Sequence, residues 1–232
     1  MRPRELLIGT AMMFLTFISA AAITPPVPSP LINEDKILGA AYYDTLSILS
    51  SPNECSDFFG GPSASVEIFN GLIGKVRKDY FYHSIGIRMS GEAVNILNAT
   101  TRNQYRLFDK VSVNTNGPFY KKKYSLTDPF IPGIGSFEAN TKEVRVLMLL
   151  HELGHVAKGK GSAWLLPDDG RDEGLSRDNT KKIEDVCGEQ IRNLGKGDIA
   201  NNSASGKHVD EKRDEQPNVA APPLTLVANT KQ

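Results

Sequence analysis

The chain has 232 residues, enough for one good-sized domain or two small ones. Hydrophobic residues make up 40% and charged residues 23%, the ordinary balance of a soluble globular protein. Lysine plus arginine (27) equals aspartate plus glutamate (27), so charge gives no case for nucleic acid or acidic lipid as a partner.

Residues 1–22 read as a signal peptide. MRPRE carries Arg2 and Arg4, the apolar stretch LLIGTAMMFLTFIS follows, and Ala20-Ala21-Ala22 offers a small-residue cleavage site. The mature start is then expected near Ile23, in a secreted or periplasmic protein. No cysteine follows the apolar stretch, so a lipoprotein anchor is not expected. An uncleaved anchor is the alternative, because Leu6 to Ala22 approaches the length of a short membrane span. No second stretch could cross a bilayer, so no stable membrane association is expected after cleavage.

Residues 23–33, ITPPVPSPLIN, are proline-rich and predict an extended leader. A single domain is expected over 34–194. From Glu34 to Ser50, apolar residues at helical spacing predict a first helix: Ile37, Leu38, Ala41, Tyr42, Leu46 and Leu49. Ser51-Pro52-Asn53 breaks it. Ala64 to Tyr82 also predicts helix, with Gly71 and Gly74 against it. The segments IGIRM (85–89), QYRLF (104–108) and VSVNTN (111–116) predict short strands, and FYKKKYSL offers another. The last of the three is a candidate edge for pairing an extended peptide. Lys121-Lys122-Lys123 reads as a solvated strand edge or loop. DPFIPGIGSF (128–137) is loop by its prolines and glycines.

Asn140 begins a stronger element. NTKE places a capping residue at Asn140 and Glu143 three positions on. No proline occurs from Thr141 to Ala157, and Gly159 and Gly161 mark the stop. A polar loop, SAWLLPDDGRDEGLSRDN, leads to a last helix, TKKIEDVCGEQIRNL. Residues 195–232 lack the apolar content to pack and predict a disordered tail.

There are two cysteines, Cys55 and Cys187. In an exported chain they invite one disulfide, closing a loop worth on the order of 4–5 kcal/mol in the chain-entropy model. Two buried thiols are the alternative. Their separation and the lack of a CxxC spacing argue against a cysteine zinc site.

The chemistry lies in HELGH, residues 151–155, directly after the apolar run VRVLMLL. Residues four apart share one helix face, so His151 and His155 can hold one metal ion. Glu152 sits about a hundred degrees round the helix. It can reach a water at that metal and act as general base. The surrounding segment is apolar almost all round, the pattern of a buried helix. Unpaired imidazole or carboxylate is costly there, and a metal site or cleft on one side removes the conflict. Gly154 costs about 1 kcal/mol against alanine in a helix and permits close approach of another backbone.

HELGH, led in by VLMLL, resembles the active-site helix of the zincin metallopeptidases over roughly 141–158. The wider pattern HELGH…LLPDDG…LSRDNT…C, through Cys187, is similar to small secreted bacterial proteins of unassigned function. The zincin resemblance implies an α+β fold, mainly helical with a small sheet, around a central HExxH helix. It implies a zinc peptidase acting on peptide or protein substrates, with His151 and His155 as ligands and Glu152 as base. The metzincin extension is absent, since Lys158 and Gly161 stand where that subfamily has glycine and histidine. His83 and His208 are far from the motif and read as packed or surface residues. A carboxylate is therefore expected as third ligand, from Asp168, Asp169, Asp172, Glu173, Asp178, Glu184 or Asp185. Trp164-Leu165-Leu166 would bury against the helix and bring Asp168-Asp169-Gly170 with it. Asp169 stands 14 residues past His155, followed by a glycine suited to a sharp turn. Asp169 is preferred, then Asp168, then Glu184. Asp178 and Asn179 are candidates to orient a ligand histidine. The competing readings are a non-catalytic zinc-stabilised exported binding domain and an exported module without metal.

Overall fold

The computed structural model describes residues 29–81, 86–98, 101–159, 163–170, 172–194 and 196. The expected signal peptide, His83 and His208, and nearly all of the expected tail lie outside these residues. Six helices and a three-stranded sheet make an α+β fold among the described residues.

The expected leader ends differently: Leu31–Glu34 is a short helical turn, α1. Asp35 separates it from α2, Lys36–Leu49, and caps α2 by accepting from the Ile37 and Leu38 amides at 3.0 and 2.9 Å. Two helices follow, α3 (Glu54–Phe58) and α4 (Pro62–Gly74), the second opened by a proline in its first turn. The helix expected to reach Tyr82 stops at Gly74. Val76–Asp79 is instead strand β1, because Val76 is fully buried and pairs with Val111.

The next two strands are longer than the sequence suggested. β2 runs Ile87–Leu97 and β3 runs Gln104–Asn114, joining two segments read as separate strands. β2 and β3 are antiparallel, with a register shift between Ser90 and Ala93, where Gly91 has φ +88°. β1 lies parallel on the other side of β3. VSVN is thus central, not an edge, and β2 is the outer strand on the far side. FYKKKYSL forms turns with one isolated bridge, Lys123 to Phe130. The lysines still serve a polar surface: Lys121 donates to Asn116, and Lys122 pairs with Glu138.

α5, Lys142–Val156, is the central element. Thr141 caps it, accepting from the Val144 amide at 3.2 Å, rather than Asn140. Asn140 instead takes a left-handed turn (φ +61°), where Arg145 holds its side chain and carbonyl. Leu147, Leu150, Leu153 and Val156 are fully buried, against α2, α4, α6 and the sheet. α6, Glu173–Arg192, starts a full seven residues before the expected Thr180, under an Asp172 cap. Cys55 and Cys187 form a disulfide that ties α3 to α6 across 132 residues. No described helix is long and apolar enough to cross a membrane.

Candidate metal centre

HELGH occupies the last two turns of α5. His151 and His155 lie one above the other, with Nε2 atoms 3.0 Å apart. A strap folds back from the end of the helix to meet them. Its Leu165 amide donates to Ala157 O and its Leu166 amide to Gly154 O, both at 3.0 Å. Leu166 is fully buried in the notch that Gly154 leaves; a Cβ at 154 would stand 2.6 Å from Leu166 Cδ1. The next residues present Asp169, and Gly170 turns the chain away at φ +52°. Asp169 Oδ2 is 3.1 Å from His151 Nε2 and 3.4 Å from His155 Nε2.

These three atoms could hold a metal ion. Ligands 2.0–2.1 Å from zinc in a tetrahedron stand about 3.3 Å from one another. The observed separations of 3.0, 3.1 and 3.4 Å match that edge length. The donor chemistry also fits, with two imidazole nitrogens and one carboxylate. Thr180 Oγ1 lies 3.0 Å from His151 Nδ1, deep in the protein. With Nδ1 donating to that hydroxyl, Nε2 keeps its lone pair for the shared point. Asn179 Nδ2 donates to Pro167 O at 3.0 Å and reaches Asp169 Oδ2 at 3.4 Å. It therefore steadies the carboxylate rather than a histidine, while Asp178 is exposed.

The other carboxylates have different partners. Asp168 takes both terminal nitrogens of Arg106. Glu184 accepts from the Ser136 amide and hydroxyl, pinning the 133–137 turn. Asp172 caps α6, Asp185 pairs with Lys181, and Glu173 approaches Arg177 at the surface.

Beside the three donors lies a cavity of about 900 Å³. Its lining includes the apolar side chains of Ile87, Met89, Phe108 and Met148 and the carboxylates of Glu152, Asp172 and Glu173. Burial pushes the Glu152 carboxyl up to about 7, His151 pulls it back, and Asp169 raises it further. Burial, then the neighbouring His151, holds the His155 imidazolium below its usual pKa, favouring the neutral ring that a metal needs. For Asp169, burial works to raise the pKa, but the hydrogen bond to His151 and the neighbouring His155 and His151 rings prevail and hold it well below the carboxylate range.

Two contributors escaped the sequence. Thr180 gave no signal of its own. Arg106 did give one, an arginine inside a strand-like run, QYRLF, where a buried cation needs a reason. Compared with protein-family models, curated proteins and solved structures, the chain has no match in any of the three.

Proposed function

We propose that this chain is an exported zinc-dependent hydrolase of the zincin type, acting on peptides or proteins. The observation that carries the reading is the convergence of His151 Nε2, His155 Nε2 and Asp169 Oδ2 beside a cavity lined by Glu152. Zinc held by these three groups would leave a place for water, lower that water's pKa towards about 7 and polarise a substrate carbonyl.

The chain's own residues have defined tasks. Glu152 accepts the proton of the attacking water and delivers it to the leaving amine. Its carboxylate hydrogen-bonds to no described residue, which leaves both oxygens for this work. Thr180 fixes the tautomer and tilt of His151. Asn179 keeps the Asp169 oxygen aimed at the imidazoles. β2 borders the cavity at residues 87–89, with its outer edge away from β3. An extended peptide can add along such an edge by main-chain hydrogen bonds. The apolar residues that line the cavity would receive its side chains.

A closed, purely structural zinc site would need a fourth protein ligand. The described donor set has three members, and the cavity opens beside them, which supports the catalytic reading over the binding-domain one. The signal-peptide pattern of residues 1–22 and the Cys55–Cys187 disulfide support an exported protein.

Replacing Glu152 with Gln tests the mechanism. Hydrolysis of a generic peptide mixture should fall by roughly 10²–10⁴-fold, while zinc content, read by metal analysis, stays at the wild-type level. Undiminished hydrolysis in Glu152→Gln would contradict the role given to Glu152.

A further inference from the structure

Arg106 on β3 is 8% exposed, yet it is charged and no part of the donor set. Its Nε donates to the backbone carbonyl of His155 at 2.9 Å. Its two terminal nitrogens both reach the Asp168 carboxylate. Trp164 and Phe108 flank the guanidinium, with ring centroids 4.4 and 5.2 Å from its central carbon. The fork geometry of arginine suits this task, since one planar group meets a carboxylate end-on through its two terminal nitrogens and still has Nε free for a third acceptor.

The two ends of this contact matter. His155 carries one imidazole of the donor set, and its carbonyl is among those the end of a helix leaves without intrahelical partners. Asp168 is bonded to Asp169, which supplies the carboxylate. These two donors come from different elements, the helix and the strap. Among the described residues, the strap's amides reach the end of α5 and its cap at Leu165 and Leu166, before Pro167 breaks the ladder. Between Leu166 and Gly170, Arg106 is thus the side chain that ties the strap to the carbonyl of a donor histidine.

We propose that Arg106, through Asp168, is a positioning residue that sets the distance between Asp169 and the two imidazoles, and so the zinc affinity of the site. This rests on the zinc reading above. The strap is held by a charged clamp whose Asp168 side chain is 65% exposed and also lines the cavity. Among the described residues the clamp hydrogen-bonds to none of the three donor side chains, so its task is the strap's placement.

The test is the zinc dissociation constant of the full-length protein, measured by competition with a chromophoric chelator. It is read beside the melting midpoint of each metal-free variant. Arg106→Ala should weaken zinc by about 10–100-fold, the range found for groups that orient ligands. Arg106→Lys should recover little, because an ammonium cannot meet Asp168 and the His155 carbonyl in one plane. Asp168→Asn, at an exposed side chain that leaves the core untouched, should weaken zinc in the same direction and carries the test if Arg106→Ala does not fold. The double variant should lose no more than Arg106→Ala alone. Lower melting midpoints with wild-type zinc affinity in Arg106→Ala or Asp168→Asn would mean a merely structural role and overturn the proposal. A wild-type protein that takes up no zinc would overturn the zinc reading itself, and the clamp with it.

Discussion

At Glu152, burial works against ionisation and outweighs the pull of His151, and the consequence is readable in stability. Its folded pKa, about 7, lies above the ordinary 4.5. The folded state therefore holds this proton more tightly than the unfolded chain. The stability it contributes is complete below pH 4.5 and is lost as pH rises through about 7. The loss amounts to about 3 kcal/mol at most. Asp169 and His155 act in the opposite sense, because both folded pKa values are lowered and their contributions fade as pH falls. The difference between wild type and Glu152→Gln isolates the first effect. Urea unfolding of the metal-free proteins should show the wild type losing stability relative to Glu152→Gln between pH 4.5 and 7. Parallel pH profiles would show that Glu152 is not held in this environment. At this scale the site was half legible. Two histidines and a glutamate announce themselves by spacing within one helix, and Asp169 by a glycine-marked turn a short reach away. Thr180 and Arg106 act through tertiary contacts across 29 and 49 residues, and no local pattern carries that.

Among the elements, α5 and the strap depend on each other through Gly154. Alanine would gain about 1 kcal/mol of helix propensity there. Its Cβ, however, would meet Leu166 Cδ1 at 2.6 Å and Cγ at 2.7 Å, and Leu166 is fully enclosed. Overpacking of that kind costs about 1–3 kcal/mol. Gly154→Ala should therefore fail to stabilise the protein in urea unfolding, and should weaken zinc binding by displacing the strap. A more stable variant with unchanged zinc affinity would refute the close fit. α5 was readable because a capped, proline-free apolar run has few other options. The sheet was not. Val76 continues the apolar rhythm of α4, so β1 looked like helix until its pairing with Val111 decided otherwise. The outer half of β2, SGEAVNIL, is largely exposed and shows no alternation to find. The start of α6 was hidden by Gly174 and by its polar first turns, which read as loop.

For the molecule as a whole, the disulfide supports the same helix that supports the site. Cys187 anchors α6 to α3, and α6 carries Asn179 and Thr180 behind the donors. A loop of 132 residues makes that link worth about 5 kcal/mol in the chain-entropy model. The pairing was legible from an even cysteine count and from the export that the N-terminal pattern predicts, and its energetic logic needs no further geometry. The α+β class was legible as well, from helical runs flanking short alternating segments. Function rests on the site, since the three comparisons with known proteins found no match. The deciding experiment is a zinc titration of the full-length protein beside its Asp169→Ala variant. The wild type should bind one equivalent, and Asp169→Ala should bind more than about 100-fold more weakly, beyond the range for groups that only orient ligands. A wild type that binds no zinc, or an Asp169→Ala variant that binds it equally well, would contradict the three-donor centre.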